Sequence, residues 1–155
     1  MSNPKDNSWQ QGIQTLLANT HIAFLSTQGG YTPESSMCPY ALYQGYIILH
    51  LSELAKHTKN IRNNQNVGLM ICTAETNNTS PLSLARLSFT GMIEAVPETE
   101  QADYQKDYLQ SIPDAEPLFS FPDFTLHRIK IASVFWVGGF GKARKIPLET
   151  WKSLC

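Results

Sequence analysis

The strongest constraint on the fold is a pair of β-rich runs separated by one short polar segment. The runs are Tyr46-Ile47-Ile48-Leu49-His50-Leu51 and Val67-Gly68-Leu69-Met70-Ile71-Cys72. Between them Leu54, His57 or Thr58, and Ile61 recur at the three-to-four-residue spacing of a helix. Ser52 directly follows the first run, where its hydroxyl is expected to cap the helix by accepting from a free backbone N–H. Lys56, His57, Thr58, Lys59 and Arg62 come next. Unpaired N–H groups, the positive helix end and these cations together suit an anion such as a phosphate. The same residues also suit a connector helix with a solvated basic face.

The rest of the chain reads as strands and turns around this unit. Ser8 with Gln11 has the spacing of a capping box, and Ile13, Leu16 and Leu17 follow on a short helix over about 8–19. His21 to Thr27 reads as a strand closed by the turn Gln28-Gly29-Gly30. An extended segment runs from Tyr31 to Tyr43, with Pro33 and Pro39 marking it as an edge or irregularly paired strand. Leu84 to Val96 reads as a long strand with a bulge or close backbone approach at Gly91, and Thr99 to Ser111 as a surface helix with Ala102, Leu109 and Ile112 on its apolar side. Asp123 to Trp136 is a further long strand. Its apolar phase changes between Phe124, Leu126 and Ile129, Ile131, which places a bulge near His127-Arg128. The expected fold is mainly β: a β-barrel with peripheral helices, a single domain over 1–155, with the barrel at about 21–141 and a tail at 142–155 that ends in a short helix started by Pro147.

At 155 residues the chain is long enough for one domain with a substantial core. A net charge of −1 gives no global case for nucleic-acid or acidic-membrane binding. Only 16 % of residues are charged against 42 % hydrophobic, which suits either an oligomer interface or a compact monomer. Cys38, Cys72 and Cys155 are sparse, form no CxxC and have no metal-ligand spacing to a histidine, so no metal site is expected. Such cysteines, a polar N-terminus and the lack of an apolar run of about 20 residues lead to the expectation of a cytoplasmic protein that does not span a membrane. No dinucleotide fingerprint, GxSxG elbow or HExxH pair occurs, and no catalytic residue is assigned.

Several stretches carry a resemblance. They are Leu25-Ser26-Thr27, Pro39-Tyr40-Ala41, Leu51 to Ile61 (LSELAKHTKNI), Ala85 to Gly91, Pro122 to Arg128 and Val137 to Ala143 (VGGFGKA). Over about residues 8–145 the chain resembles the pyridoxamine 5′-phosphate oxidase-like, FMN-binding split-barrel superfamily. Within it, the nearest likeness is to the haem-utilisation branch of HugZ and HutZ type. The resemblance implies a homodimer with cofactor clefts at the interface and FMN as cofactor. By position it implies FMN contacts from Ser36, Met37, Cys38 and Pro39, from Leu51 and Ser52, and from Lys56, His57 and Thr58. Arg86 either reaches the partner's cofactor or sits on the outer face. In the haem-degrading relatives a histidine beyond the GGFG element ligates iron and an acidic residue of the DF element, here Asp123, supports the haem site. This chain's histidines are His21, His50, His57 and His127, and none follows Gly141. The arginine-bearing segment of true pyridoxamine 5′-phosphate oxidases has no counterpart in KARKIPLETWKSLC, which argues against vitamin B6 oxidation.

The leading expectation is therefore an FMN-binding oxidoreductase acting on a small-molecule substrate. The alternatives are a haem-binding or haem-degrading protein using His57 or His127, and a non-catalytic ligand-binding split barrel.

Overall fold

The computed structural model describes residues 6–155; the start of the polar N-terminus weighed above lies outside the described residues. Helix α1 (Ser8–Asn19) precedes β1 (Ile22–Gln28), β2 (Pro33–Pro39), β3 (Ala41–Tyr43) and β4 (Tyr46–Ser52). Then come α2 (Lys56–Asn63), β5 (Asn66–Cys72), β6 (Arg86–Ala95), α3 (Gln101–Ser111), β7 (Phe124–Val137), β8 (Ala143–Ile146) and α4 (Leu148–Leu154).

One antiparallel sheet runs β2-β1-β5-β6-β7-β4-β3, with β8 added on β7. Its two end strands, β2 and β3, are consecutive in the chain and separated by Tyr40 alone. The extended segment expected over 31–43 is thus broken: β2 pairs with β1, and β3 pairs with β4. The sheet must curl until its ends meet, giving an open barrel with helices around it.

The long β7 pairs with both β4 and β6, and its irregularity falls at Ala132 opposite Thr90/Gly91, not near His127-Arg128. Gly91 is the reason: a Cβ there would sit 2.4 Å from the Lys130 carbonyl oxygen. The phase change between Leu126 and Ile129 has a different cause, burial on both faces. Ile47, Leu49, Leu51 and Ile129 point into the barrel core, whereas Ile48 and Leu126 pack outward with Tyr104 and Tyr108 of α3. This two-sided burial accounts for the unbroken apolar run of β4. On α3 and at its C-cap, Leu109 and Ile112 pack partly buried against this cluster as expected, Ala102 is exposed, and the fully buried residues are Tyr104 and Tyr108.

The residues read as a tail add β8 and α4. Trp151 of α4 is 1 % exposed, packs edge-on against Phe89 at 4.9 Å, and donates from Nε1 to the Gly45 carbonyl at 2.9 Å. That carbonyl is presented by the two-residue β3–β4 turn, whose Gln44 (φ 50°) and Gly45 (φ 82°) occupy the left-handed region such turns require. At α1 the expected capping box is absent: Ser8 is the first helical residue, and its N–H donates to the Asp6 carboxylate at 3.0 Å. No helix of the described residues is long and apolar enough to cross a membrane.

Trp151→Ala removes a core aromatic and the tie to Gly45, so a loss of about 3–5 kcal/mol is expected. The check is the urea midpoint at constant m-value. A loss below about 1 kcal/mol would mean that α4 only rests on the barrel.

Candidate functional site

β2 and β4 flank the open side of the barrel, and no hydrogen-bonded ladder joins them. Helix α2 packs beside this seam, against β1 and β2. Its start differs from the expectation. Ser52 is not the N-cap: Ala55 holds that place and makes no side-chain bond. Ser52 instead shapes the turn before the helix, its Oγ accepting from Leu54 N at 3.2 Å and its carbonyl from Ala55 N at 3.2 Å. Leu54 consequently falls outside the helix and is exposed, while Thr58 and Ile61 form its buried side. The Thr58 hydroxyl donates to the Ser52 carbonyl at 2.6 Å, locking α2 to the end of β4.

Two histidines meet at the seam. His57 sets Nδ1 3.1 Å from Ser36 Oγ on β2, and its Nε2 is buried without a hydrogen-bond partner. Burial lowers its proton affinity. The positive neighbours invoked from the sequence are not the cause. His127 lies on the inward face of β7, paired across the ladder with Leu49. Its Nδ1 stands 3.0 Å from the Thr125 carbonyl, which can only accept; Nδ1 therefore carries the proton and Nε2 the lone pair. Burial chiefly, with His57 and Arg62 acting in the same direction, keeps His127 neutral against the opposing effect of the Thr125 carbonyl. His50 faces the other way, stacked on Phe119 at 3.9 Å. Burial pushes its pKa down to about 4, and its Nδ1 has no partner, so stacking rather than a hydrogen bond holds it.

The basic cluster is largely neutralised. Lys56 pairs with Glu34 of β2 at 2.8 Å, and Arg62 contacts the Glu53 carboxylate, which also accepts from Thr125 Oγ1 at 2.8 Å. Ser52 Oγ lies 3.5 Å from the Asp123 carboxylate, and Glu53 N donates to the Asp123 carbonyl at 2.6 Å. Two of the cluster's cations, Lys56 and Arg62, are thus matched by carboxylates, and the electrostatic case for a phosphate at α2 is weaker than the sequence implies.

Ser36, Cys38, Ser52, Lys56, His57 and Thr58 come together at the seam, with Leu51 in the core beneath them. Cys38 is buried, and burial raises its thiol pKa against the opposing hydrogen bond from Ser36. Met37 and Pro39 alternate onto the outer face of β2 and are exposed. Arg86 is not brought to the seam. It pairs with Cys72, whereas the α2 end of that ladder is Asn66 opposite Met92, about 20 Å away at ~3.4 Å per residue. Its Nη1 donates to the Leu84 carbonyl at 3.0 Å. Glu34, Glu53 and Thr125 were not singled out from the sequence; the alternation of Glu34 with Ser36 and Cys38 along β2 is the signal that would have found the first. Among the described residues no group of three or more His, Cys, Asp or Glu could hold a metal ion.

Solved structures share this architecture. The heme-binding protein from Mycobacterium smegmatis superposes with a TM-score of 0.84 at 24 % identity over 99 % of this chain, which spans 62 % of that one. HutZ, the heme storage protein from Vibrio cholerae, gives 0.68 at 20 % identity, covering 82 % of this chain and 93 % of its own. A FAD-binding protein from Mesorhizobium loti gives 0.62 at 16 % identity, covering 80 % and 88 %. At these identities the likeness is one of fold, and the chain spans less than two thirds of the mycobacterial protein. No curated protein matches it by sequence. The family described as CREG, β-barrel matches residues 16–153, nearly the whole chain. The chain belongs to the CREG β-barrel family.

Proposed function

We propose that the β2–β4 seam binds haem, with His57 as the foremost iron-ligand candidate and His127 the second. The observation that carries this reading is His57 itself: Nδ1 is held by Ser36, Nε2 is buried without a partner, and burial keeps the ring neutral. A neutral imidazole steadied through its second nitrogen is the form that ligates metals. Leu54 and Phe121, both exposed, and the partly buried Phe124 lie on segments adjoining Ser52 and Asp123 and offer apolar surface to a macrocycle. Bound haem would supply the redox chemistry; the chain's residues bind it, orient it and limit solvent. Two of the solved structures alike in fold are described as heme proteins, which agrees with this reading.

FMN is the second reading, supported by Ser52, Lys56 and Lys59 around the start of α2. Its phosphate would have to draw Lys56 away from Glu34. Under either reading a small-molecule oxidoreductase and a non-catalytic binding protein are separate outcomes.

The proposal includes a homodimer. Met37, Phe24, Met70 and Phe135 are exposed and lie in one register row across β2, β1, β5 and β7, with Ser88 of β6 completing it. Such an apolar outer stripe suits burial against a second copy.

Haemin titration is expected to give a saturable Soret band that shifts and weakens at least tenfold in affinity in His57→Ala, with a smaller change in His127→Ala. Identical spectra and affinities in both variants would remove both ligands, and retention of FMN without haem binding would favour flavin. Because the lowered pKa of His57 lies below 6.5, haem affinity should hold from pH 8 to 7 and fall only in acid, as the ring protonates. For the dimer, light scattering should show two chains for the wild type and one for Phe24→Glu; a wild-type monomer at about 50 μM would sink the interface.

A further inference from the structure

A second cavity lies away from the seam, between α1 and the β7–β8 hairpin, with a volume of about 440 Å³. That is within the range of small-molecule sites. Two glycines make room at its floor. A Cβ on Gly12 would sit 2.9 Å from the Trp136 ring, and one on Gly138 would sit 2.9 Å from the Trp136 indole nitrogen. A neighbouring cavity shares Gly12, Trp136 and Gly138 and extends the groove toward Thr73 and Ala85.

The wall is cationic and aromatic. Arg144 lays its guanidinium over the Trp9 ring, 4.6 Å from the centroid, and Lys142 stands beside it. Neither cation takes part in the ion pairs of the described residues, in contrast to Lys56 and Arg62 at the seam. Asp6 is the one carboxylate among the described residues lining the groove, its charged form stabilised chiefly by hydrogen bonds from Ser8 and also by Lys142 and Arg144. Two cations against one carboxylate leave a surplus positive charge. A guanidinium has two flat faces; Trp9 covers one, and the exposure of Arg144 leaves the other to a second ring.

We infer that this groove is a binding site for a planar aromatic anion, a ring bearing a phosphate or carboxylate. The ring stacks on the Arg144–Trp9 pair, and the anionic group is held by Lys142 and Arg144. The site is independent of the haem reading and involves none of the seam residues.

The test uses adenosine 5′-monophosphate as the probe, with adenosine and inorganic phosphate as the ring-only and anion-only comparisons. Calorimetry and tryptophan fluorescence on the wild type should show saturable binding of the monophosphate, at least tenfold tighter than either comparison. The exposed pair Lys142→Gln with Arg144→Gln should lose that binding with an unchanged thermal melt and unchanged haemin titration. Trp9→Leu should weaken it while leaving the cations in place. No saturable binding by the wild type, or equal binding by the double variant, would overturn the assignment; binding of adenosine as tight as the monophosphate would overturn the anionic class.

Discussion

The bend at Tyr40 is the constraint on which the architecture depends. A strand that stayed straight from Pro33 to Tyr43 would remain on β1 and leave β4 paired on one side only, with β7. By changing partners at one residue, the chain makes the two ends of a single sheet covalent neighbours. Tyr40 N donates to the His21 carbonyl at 3.0 Å, and its hydroxyl meets Thr20 at 2.8 Å, so the bend is pinned from α1 and the start of β1. The open seam follows directly. No ladder joins β2 to β4, and the polar side chains of α2 and β2 meet beside the seam instead.

Much of the strand order was legible because alternation and turn residues are local signals. Gly45 after Gln44 announces the hairpin, and Gly91 announces the bulge through the backbone approach it permits. The misplaced irregularity in β7 has a physical reason: period-two patterning assumes one buried face, and β7 is buried on both where α3 covers it. Tyr104 and Tyr108 escaped the reading of α3, whose Leu109 and C-cap Ile112 do pack inward, because they bury rings while keeping polar tips. Arg128 donates to the Tyr104 hydroxyl at 2.9 Å and reaches Glu94 and Glu100 at 2.7 Å, a network that no local pattern displays.

The candidate site was legible as a set of residues but not as a charge distribution. Lys56, His57 and Ser52 were found from spacing and resemblance; their partners lie on other strands. Glu34 meets Lys56, and Ser36 meets His57, only because β2, just before the bend, runs past α2. A cationic run in a sequence therefore says little about local potential until its carboxylates are located. Here Lys56 and Arg62 are each matched by a carboxylate, which lowers the positive potential that the run suggests.

The tie between Trp151 and Gly45 has a kinetic consequence. The two residues close a contact across most of the chain, and Ile146 of β8 and Trp151 of α4 share the core with Ile13 of α1. Loop-closure entropy for such a long-range contact is met late, and proteins rich in these contacts fold slowly. Strands β1 to β7 precede α4 in the chain, so they can pair before the helix that seals their interior has docked. Until then Phe89 and Trp136 line an unfilled core. Sealing of the core therefore depends on docking of α4 as well as on strand pairing.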